Sequence, residues 1–268
     1  MPARLAPDQS RGYLIAIGTT VRNAGETGIF KRIMGLLGDR ANVALIAASP
    51  DDSTIDDVDT RLMGHGAHQI HRIRLSKRSD CEAPSVTATI EQADLALLCA
   101  DQPLRMSTVI GGTPLARLLR KRNAEGMAVG AVGAAAPILA EHMLAGGAQG
   151  ATPRMGSVNL SPGLGLSNRL VIDQGGASAD RLGRLLGALA LNPFALGIGI
   201  DADTAAIIGP DNVMDVVGTG GITVVDPTDV GHSNAADADP SGPISITNLR
   251  VHVLVHGSRY DLDFRRPL

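Results

Sequence analysis

The chain has 268 residues, of which 44% are apolar, 19% charged and 2% aromatic, and its formal net charge is −3. This composition suits a globular protein with an aliphatic core, and the charge excludes the basic surface that nucleic acids and anionic membranes require. Two cysteines give no disulfide framework, no apolar run approaches membrane-spanning length, and the first residues lack the apolar segment of a secretion signal. We therefore expect a cytoplasmic protein that binds neither membranes nor nucleic acids.

Strands and helices alternate along the first two thirds of the chain. Short apolar runs predict buried strands, and apolar residues three and four positions apart predict helices. The predicted elements are strand 13–18, helix 26–37, strand 43–48, helix 53–63, strand 69–75, helix 85–92, strand 93–99, helix 115–123, strand 170–172 and helix 180–191. This alternation predicts the α/β class, with a mostly parallel sheet and helices on both of its faces.

After residue 196 the pattern changes to short β-type runs between turn residues. These runs predict an antiparallel or mixed, β-rich extension of the same sheet, with a surface loop at 232–242. They lie at 196–201, 205–208, 213–217, 222–225, 244–246, 251–255 and 260–264. No linker is long enough to divide the chain, so we expect one domain over residues 1–268, with a flexible N-terminus at 1–11.

The stretch 126–147 is predicted to form the centre of the fold. It is extended up to Val132, turns through small residues at Gly133, and is predicted to continue as a helix to about Ala145. Strand, tight turn and helix is the geometry of a nucleophile elbow, in which G-x-S-x-G presents a serine above a parallel sheet. Here residues 131–135 read Ala-Val-Gly-Ala-Ala, so the turn lacks the hydroxyl. A small-residue turn that only packs a helix on a sheet is the alternative.

Two other patterns resemble ligand sites only weakly. His65, His68 and His71 are spaced three apart, but no Asp or Cys completes a metal site, so we expect no bound metal. The glycine-rich segments 163–165 and 218–221 do not lie between a strand and a helix followed by an acidic residue. They are therefore weak dinucleotide signals, and we expect no cofactor.

Charged residues cluster on the helix predicted at 180–191. Asp180 and Arg184 are four positions apart and could form an exposed ion pair. Arg181 and Arg184 face the same way and could instead bind a carboxylate beside the strand end at Asp173 and Gln174. The local pattern leaves both interpretations open.

Six segments together resemble the cyanophycinase family, serine exopeptidases with the class I glutamine-amidotransferase-like fold. They are 112–115, 126–147, 162–166, 171–174 with 181–186, 196–204, and 248–257. Their spacing holds from about residue 13 to residue 266, so the resemblance covers nearly the whole chain. Family members cut cyanophycin, a polymer with a polyaspartate backbone and arginine on each side chain, and release β-aspartyl-arginine dipeptides. The resemblance implies the same fold and the same substrate class.

The resemblance places the family's catalytic residues on positions without a functional side chain. The nucleophilic serine falls on Gly133, the histidine that follows Asp-Gln falls on Gly175, and the acidic partner falls on Ala151. Acyl transfer needs a nucleophile, a base and a group that orients the base, and losing the nucleophile alone costs on the order of 10⁶ in turnover. We therefore expect an inactive member with no catalytic residues.

Part of the family's substrate-binding set is retained. One of its arginines falls on Ala179, and its Gly-Gly-Asp-Gln turn is displaced by one residue. The residues that the resemblance implies for substrate binding are Asp173, Gln174, Arg181, Arg184, Asp101 and Gln102.

Three functions are compatible with this pattern. Because the family forms dimers, the first is the non-catalytic subunit of a heterodimer with an active cyanophycinase paralogue. The second is a homodimeric binding protein or sensor for cyanophycin or β-aspartyl-arginine. The third is an active serine-type exopeptidase with a relocated nucleophile, for which Cys99, Ser157 and Ser161 are candidates.

Overall fold

The computed structural model describes residues 2–3, 10–19, 28–38, 40–48, 53–175 and 179–268, with the side chains of residues 179 and 180 left out. Most of the N-terminus predicted to be flexible, the start of the helix predicted at 26–37, and the Asp180 side chain therefore lie outside the described residues. The expected single domain stays a prediction.

Six α-helices occur in the described residues, and five of them were predicted. They are α1 (Ile29–Leu37), α2 (Ser53–Gly64), α3 (Pro84–Gln92), α4 (Pro103–Ile110), α5 (Pro114–Ala124) and α6 (Ala179–Leu191). Helix α4 was missed because the sequence around Pro103 reads as a polar turn. Proline also suits the first turn of a helix, where its missing N–H is not needed. Across the described ranges, no helix combines the length and apolarity needed to cross a membrane.

Seventeen strands occur in the described residues. They are β1 (Leu14–Ile17), β2 (Asn42–Ala47), β3 (Gln69–Arg74), β4 (Leu95–Cys99), β5 (Ala128–Val132), β6 (His142–Gly147), β7 (Val158–Pro162), β8 (Leu170–Gln174), β9 (Leu196–Ile200), β10 (Thr204–Ile208), β11 (Val213–Gly218), β12 (Gly221–Asp226), β13 (His232–Ser233), β14 (Ile246–Thr247), β15 (Arg250–Val255), β16 (Arg259–Asp261) and β17 (Arg266–Pro267). Within the predicted surface loop at 232–242, only β13 is a strand, and it pairs with β14.

A nine-stranded sheet has the order β17-β16-β11-β10-β1-β5-β4-β2-β3. Strands β1, β5, β4, β2 and β3 are parallel, whereas β10, β11, β16 and β17 pair in antiparallel fashion. Strands β1, β4 and β5 are buried along their whole length, as expected for parallel strands covered on both faces. The predicted α/β class with a β-rich C-terminal extension is confirmed.

The prediction that the late strands all extend one sheet is wrong. Strands β8, β9, β12 and β15 form a second sheet in the order β15-β12-β9-β8, and only β8 and β9 are parallel. Ile198 and Ile222 of this sheet share one apolar cluster with Met214 and Tyr260 of the first. Because both sheets bury apolar residues in the same core, the hydrophobic pattern alone does not determine which sheet a strand joins.

The predicted helix through Ala145 is also wrong. After Val132 the chain forms a 3₁₀-helix, Gly133–Leu139, and then strand β6, which pairs with β7. Pro137 lies inside this short helix, and proline removes a helical N–H and disfavours the α conformation at the residue before it. The predicted sharp turn is present: Gly133 has a left-handed backbone with a φ of 58°.

Candidate functional site

Two adjoining cavities lie where β4, β5 and β8 end. Their volumes are about 140 Å³ and 180 Å³, and Asp101, Ala134 and Gln174 line both of them. Ligands of α/β proteins bind at the carboxyl ends of parallel strands, where the loops that follow the strands meet. The cavities therefore mark this edge as the candidate site.

Gly133 lines the larger cavity at the position that the resemblance assigns to the nucleophile. An added Cβ would lie 3.8 Å from the Cα and 3.9 Å from the Oγ1 of Thr19, which are ordinary contact distances. The turn thus has room for a side chain and its φ of 58° keeps the bend, but the residue present offers no nucleophilic atom.

Gly175 follows β8 at the position that the resemblance assigns to the base. Its φ is 91°, and an added Cβ would lie 2.8 Å from both Cδ and Nη1 of Arg181. Arg181 therefore fills the space that a side chain at residue 175 would use. The same Nη1 donates a hydrogen bond of 2.5 Å to the Gln174 carbonyl.

Asp173 and Arg184 bind each other. Nε of Arg184 lies 2.6 Å from Oδ2 of Asp173, and a second hydrogen bond joins Nη2 to Oδ1. Burial raises the pKa of the Asp173 carboxyl, although the contact with Arg184 acts in the opposite direction. The predicted pair between Asp180 and Arg184 involves a side chain outside the described residues, whereas the described contacts place Arg184 on Asp173 at the strand end.

The remaining predicted binding residues differ in their placement. Asp101 is exposed and lines both cavities, whereas Gln102 is exposed at the start of α4 and lines neither. Ala151 is exposed on the loop between β6 and β7, beside Gly183 of α6, and also lines neither cavity. The structure thus brings together Asp101, Asp173, Gln174, Arg181 and Arg184, and their role in binding substrate stays a prediction.

Two threonines of the site were missed by sequence reasoning. Thr19 and Thr54 line the larger cavity, and the Thr19 hydroxyl donates a hydrogen bond of 2.8 Å to Oε1 of Gln174. Thr19 comes directly after the predicted strand 13–18, so the rule that parallel strands end at one edge could have identified it. Nothing in the sequence near Thr54 indicates the contact, because Thr54 lies in the first turn of α2, far along the chain from the strand ends of the site.

The relocated-nucleophile candidates lie outside the two cavities. Cys99 is 1% exposed, and burial raises the pKa of its thiol to about 12. Ser157 donates its hydroxyl to the Arg154 carbonyl at 2.7 Å. Neither Ser157, Ser161 nor Cys99 lines either cavity, and the described residues that do line them include no histidine. Among the residues described, no group of three or more His, Cys, Asp or Glu could hold a metal ion.

Comparisons with known proteins point to one family. The chain is 32% identical over 266 residues to the cyanophycinase of Trichormus variabilis, covering 98% of this chain and 89% of that one. It is 31% identical over 234 residues to the cyanophycinase of Geminocystis herdmanii, covering 86% of each. The crystal structure of a peptidase from an acI-B1 Actinobacterium superposes with a TM-score of 0.66 at 15% identity, over 94% of this chain and 98% of the other. No protein-family model matches the chain.

Proposed function

The chain belongs to the cyanophycinase family, and we propose that it is a member without hydrolytic activity. It acts as the non-catalytic subunit of a heterodimer with an active paralogue, which degrades cyanophycin to β-aspartyl-arginine dipeptides. The observation that carries this proposal is the pair of glycines, Gly133 and Gly175, at the ends of β5 and β8. They stand where the family resemblance places the nucleophile and the base, within a site whose strands and turn are otherwise in place.

The chemistry of peptide hydrolysis supports the loss of activity. Attack on the scissile carbonyl needs an oxygen or sulfur nucleophile, and the base must accept its proton within hydrogen-bonding distance. Of the described residues around the two cavities, the ones with hydroxyls are Thr19 and Thr54, and the ones with carboxylates are Asp101 and Asp173. Asp173 is held by Arg184 and the Thr19 hydroxyl donates to Gln174, so neither forms a nucleophile–base pair.

Two measurements test this function. Purified chain is incubated with cyanophycin at high protein concentration, and the dipeptide is measured by mass spectrometry beside an active cyanophycinase as the control. We expect no release above background, and release at the rate of the control would overturn the proposal. Co-expression with a serine-bearing paralogue and native mass spectrometry is expected to give a mixed dimer, whereas separate homo-oligomers alone would contradict the partnership.

A homodimeric binding protein or sensor for cyanophycin or β-aspartyl-arginine is the second candidate. Asp101 and Arg181 favour it, since opposite charges on one cavity wall suit a ligand that carries both a guanidinium and a carboxylate. Each cavity is smaller than the roughly 300 Å³ at which sites for drug-sized ligands begin, which favours capture of one side chain or terminus rather than a whole dipeptide. Calorimetry with dipeptide and with polymer is expected to give a heat of binding in the parent chain and a weaker one in Asp101→Asn. No heat with either ligand removes the candidate.

A further inference from the structure

A separate cavity lies at the opposite edge of the sheets from the candidate site. Its volume is about 270 Å³, larger than either cavity of that site. It lies where β1 and β8 begin and β10 ends, so Leu14 and Ile208 of the first sheet and Leu170 of the second all line it. None of the residues assigned to the candidate site lines this cavity.

The lining of this cavity combines positive charge with apolar surface. Arg11 and Arg169 line it, and none of the lining residues that the structure describes is acidic. Binding pockets typically pair a mostly apolar wall with a few polar groups that orient the ligand. Five buried aliphatic side chains form the apolar wall here: Leu14, Leu166, Leu170, Ile208 and Leu262.

Arg11 brings a positive charge that is met by neutral acceptors. Its Nη2 donates a hydrogen bond of 2.8 Å to the carbonyl of Ala3, and its Nη1 lies 3.4 Å from Oδ1 of Asn123. Burial lowers the pKa of the Arg11 guanidinium, and no carboxylate among the described residues acts in the opposite direction. A guanidinium has five N–H donors, so Arg11 keeps donors for a ligand carboxylate after these two contacts.

Arg169 differs from Arg11, because its charge is already compensated. Its Nη1 forms an ion pair with Oδ1 of Asp263, which does not line the cavity. The uncompensated charge in the cavity therefore belongs to Arg11. The volume is slightly below the roughly 300 Å³ at which sites for drug-sized ligands begin, so a ligand with a short carbon body suits it.

We propose that this cavity binds a small organic acid, with its carboxylate on Arg11 and its apolar body against the aliphatic wall. An inorganic anion would match the charge but leave the aliphatic wall in contact with water. The site goes beyond the proposed function and does not depend on it, since the two share no residue.

A titration of the parent chain with isovalerate, a carboxylate with a short branched alkyl body, tests the site by protein NMR. We expect saturable shifts of the amide signals of residues 166–170 and 208–212. Isovaleramide, which lacks the charge, and acetate, which lacks the apolar body, should each bind about tenfold more weakly or worse. The absence of saturable shifts at these residues would overturn the proposal, and so would equal affinity for isovaleramide. Tighter binding of inorganic phosphate than of isovalerate would contradict the class of ligand.

Variants assign the charge contact to Arg11. Arg11→Gln should weaken isovalerate binding about tenfold or more, and Arg11→Lys should weaken it less. Arg117→Gln is the matched control, because Nη1 of Arg117 also donates to a backbone carbonyl, that of Gly112 at 3.0 Å, but lies outside the cavity. Equal losses in Arg11→Gln and Arg117→Gln would contradict the contact.

Two further outcomes are decided by the same titrations. If Arg11→Gln does not fold, the comparison of isovalerate with isovaleramide and acetate on the parent chain still supports or overturns the site. Shifts confined to Gln174 and Arg181 would place the acid in the candidate site and overturn the proposal. No measurement here involves cyanophycin, so dipeptide release decides the proposed function separately.

Discussion

Arg184 of α6 holds the carboxylate of Asp173 at the end of β8 through two hydrogen bonds, one of them 2.6 Å from Nε to Oδ2. The side chains are 12% and 4% exposed, so the pair is mostly shielded from water. It joins a helix to the strand end that lines the candidate site. The ion pair therefore fixes the shape of the site. Neither Asp173 nor Arg184 can bind a ligand through its charge unless their hydrogen bonds break.

Removing Arg184 should destabilise the fold. In Arg184→Leu the Asp173 carboxylate stays buried without its partner, and we expect a loss of about 3 kcal/mol or more in the free energy of unfolding. The matched control is Arg184→Leu together with Asp173→Leu, which leaves no buried charge and should recover most of the loss. Urea denaturation measures both variants, and equal instability of the two would contradict the role assigned to the pair.

Asp226 should make stability depend on acid pH. Burial acts to raise its pKa, but hydrogen bonds from Thr228 and Arg265 outweigh burial and hold the pKa below its usual value. The ionised carboxylate therefore stabilises the fold above the unfolded pKa of about 4, and that contribution is lost as the pH falls through the folded value. We expect Asp226→Asn to be less stable than the parent at pH 7, with a difference that shrinks below about pH 4. Urea denaturation at each pH measures both proteins. The same difference in the free energy of unfolding at pH 7 and below pH 4 would contradict the prediction.

Tyr260 should remain a neutral phenol in strongly alkaline solution. Its side chain is fully buried, and burial raises its pKa to about 12. Since the chain has two tyrosines and no tryptophan, the ultraviolet absorbance of tyrosinate reports them cleanly. In an alkaline titration followed by this absorbance, Tyr260→Phe should remove only the transition near pH 12. Loss of a step near the ordinary tyrosine pKa of about 10 instead would show that the phenol is accessible.

Gly133→Ser should lower stability without creating activity. The added side chain has room beside Thr19, so the cost comes from the left-handed backbone and amounts to roughly 1–3 kcal/mol. Each kcal/mol corresponds to roughly 2–4 °C in Tm for a chain of about this size. Gly35→Ser is the control, because Gly35 lies in α1, where an added Cβ meets no atom within 4 Å. A Gly133→Ser variant more stable than the parent, or one that releases dipeptide, would contradict this prediction.

Both cysteines should be unreactive in the folded protein. Cys81 and Cys99 are each 1% exposed, and burial raises the pKa of both thiols, to about 12 for Cys99. Because the thiolate is the reactive form, a thiol-directed disulfide reagent should modify neither residue at neutral pH and both after denaturation. Rapid modification of one thiol in the native protein, lost in Cys99→Ala, would revive Cys99 as a nucleophile.

The sequence was sufficient for the parts of the fold that depend on local periodicity. The buried runs that form β2, β4 and β5, and the amphipathic segments that form α1 and α5, each carry a pattern a few residues long. The turn at Gly133 was predicted for the same reason, since small residues directly after a buried strand permit a sharp bend. The missing hydroxyl at Gly133 was read from the local elbow pattern, whereas the assignment of Gly175 to the position of the base came from the family resemblance alone.

Tertiary structure decided the features that depend on which elements meet. Strands β9 and β10 have equally buried patterns, yet they lie in different sheets, because partner choice depends on the packing of a shared core. Arg181 and Arg184 could have faced solvent, a ligand or the strand end, and only the docking of α6 against β8 places one against Gly175 and the other on Asp173. The sequence thus determined which residues stand where the resemblance places the nucleophile and the base, whereas the space around those residues depended on contacts between distant elements.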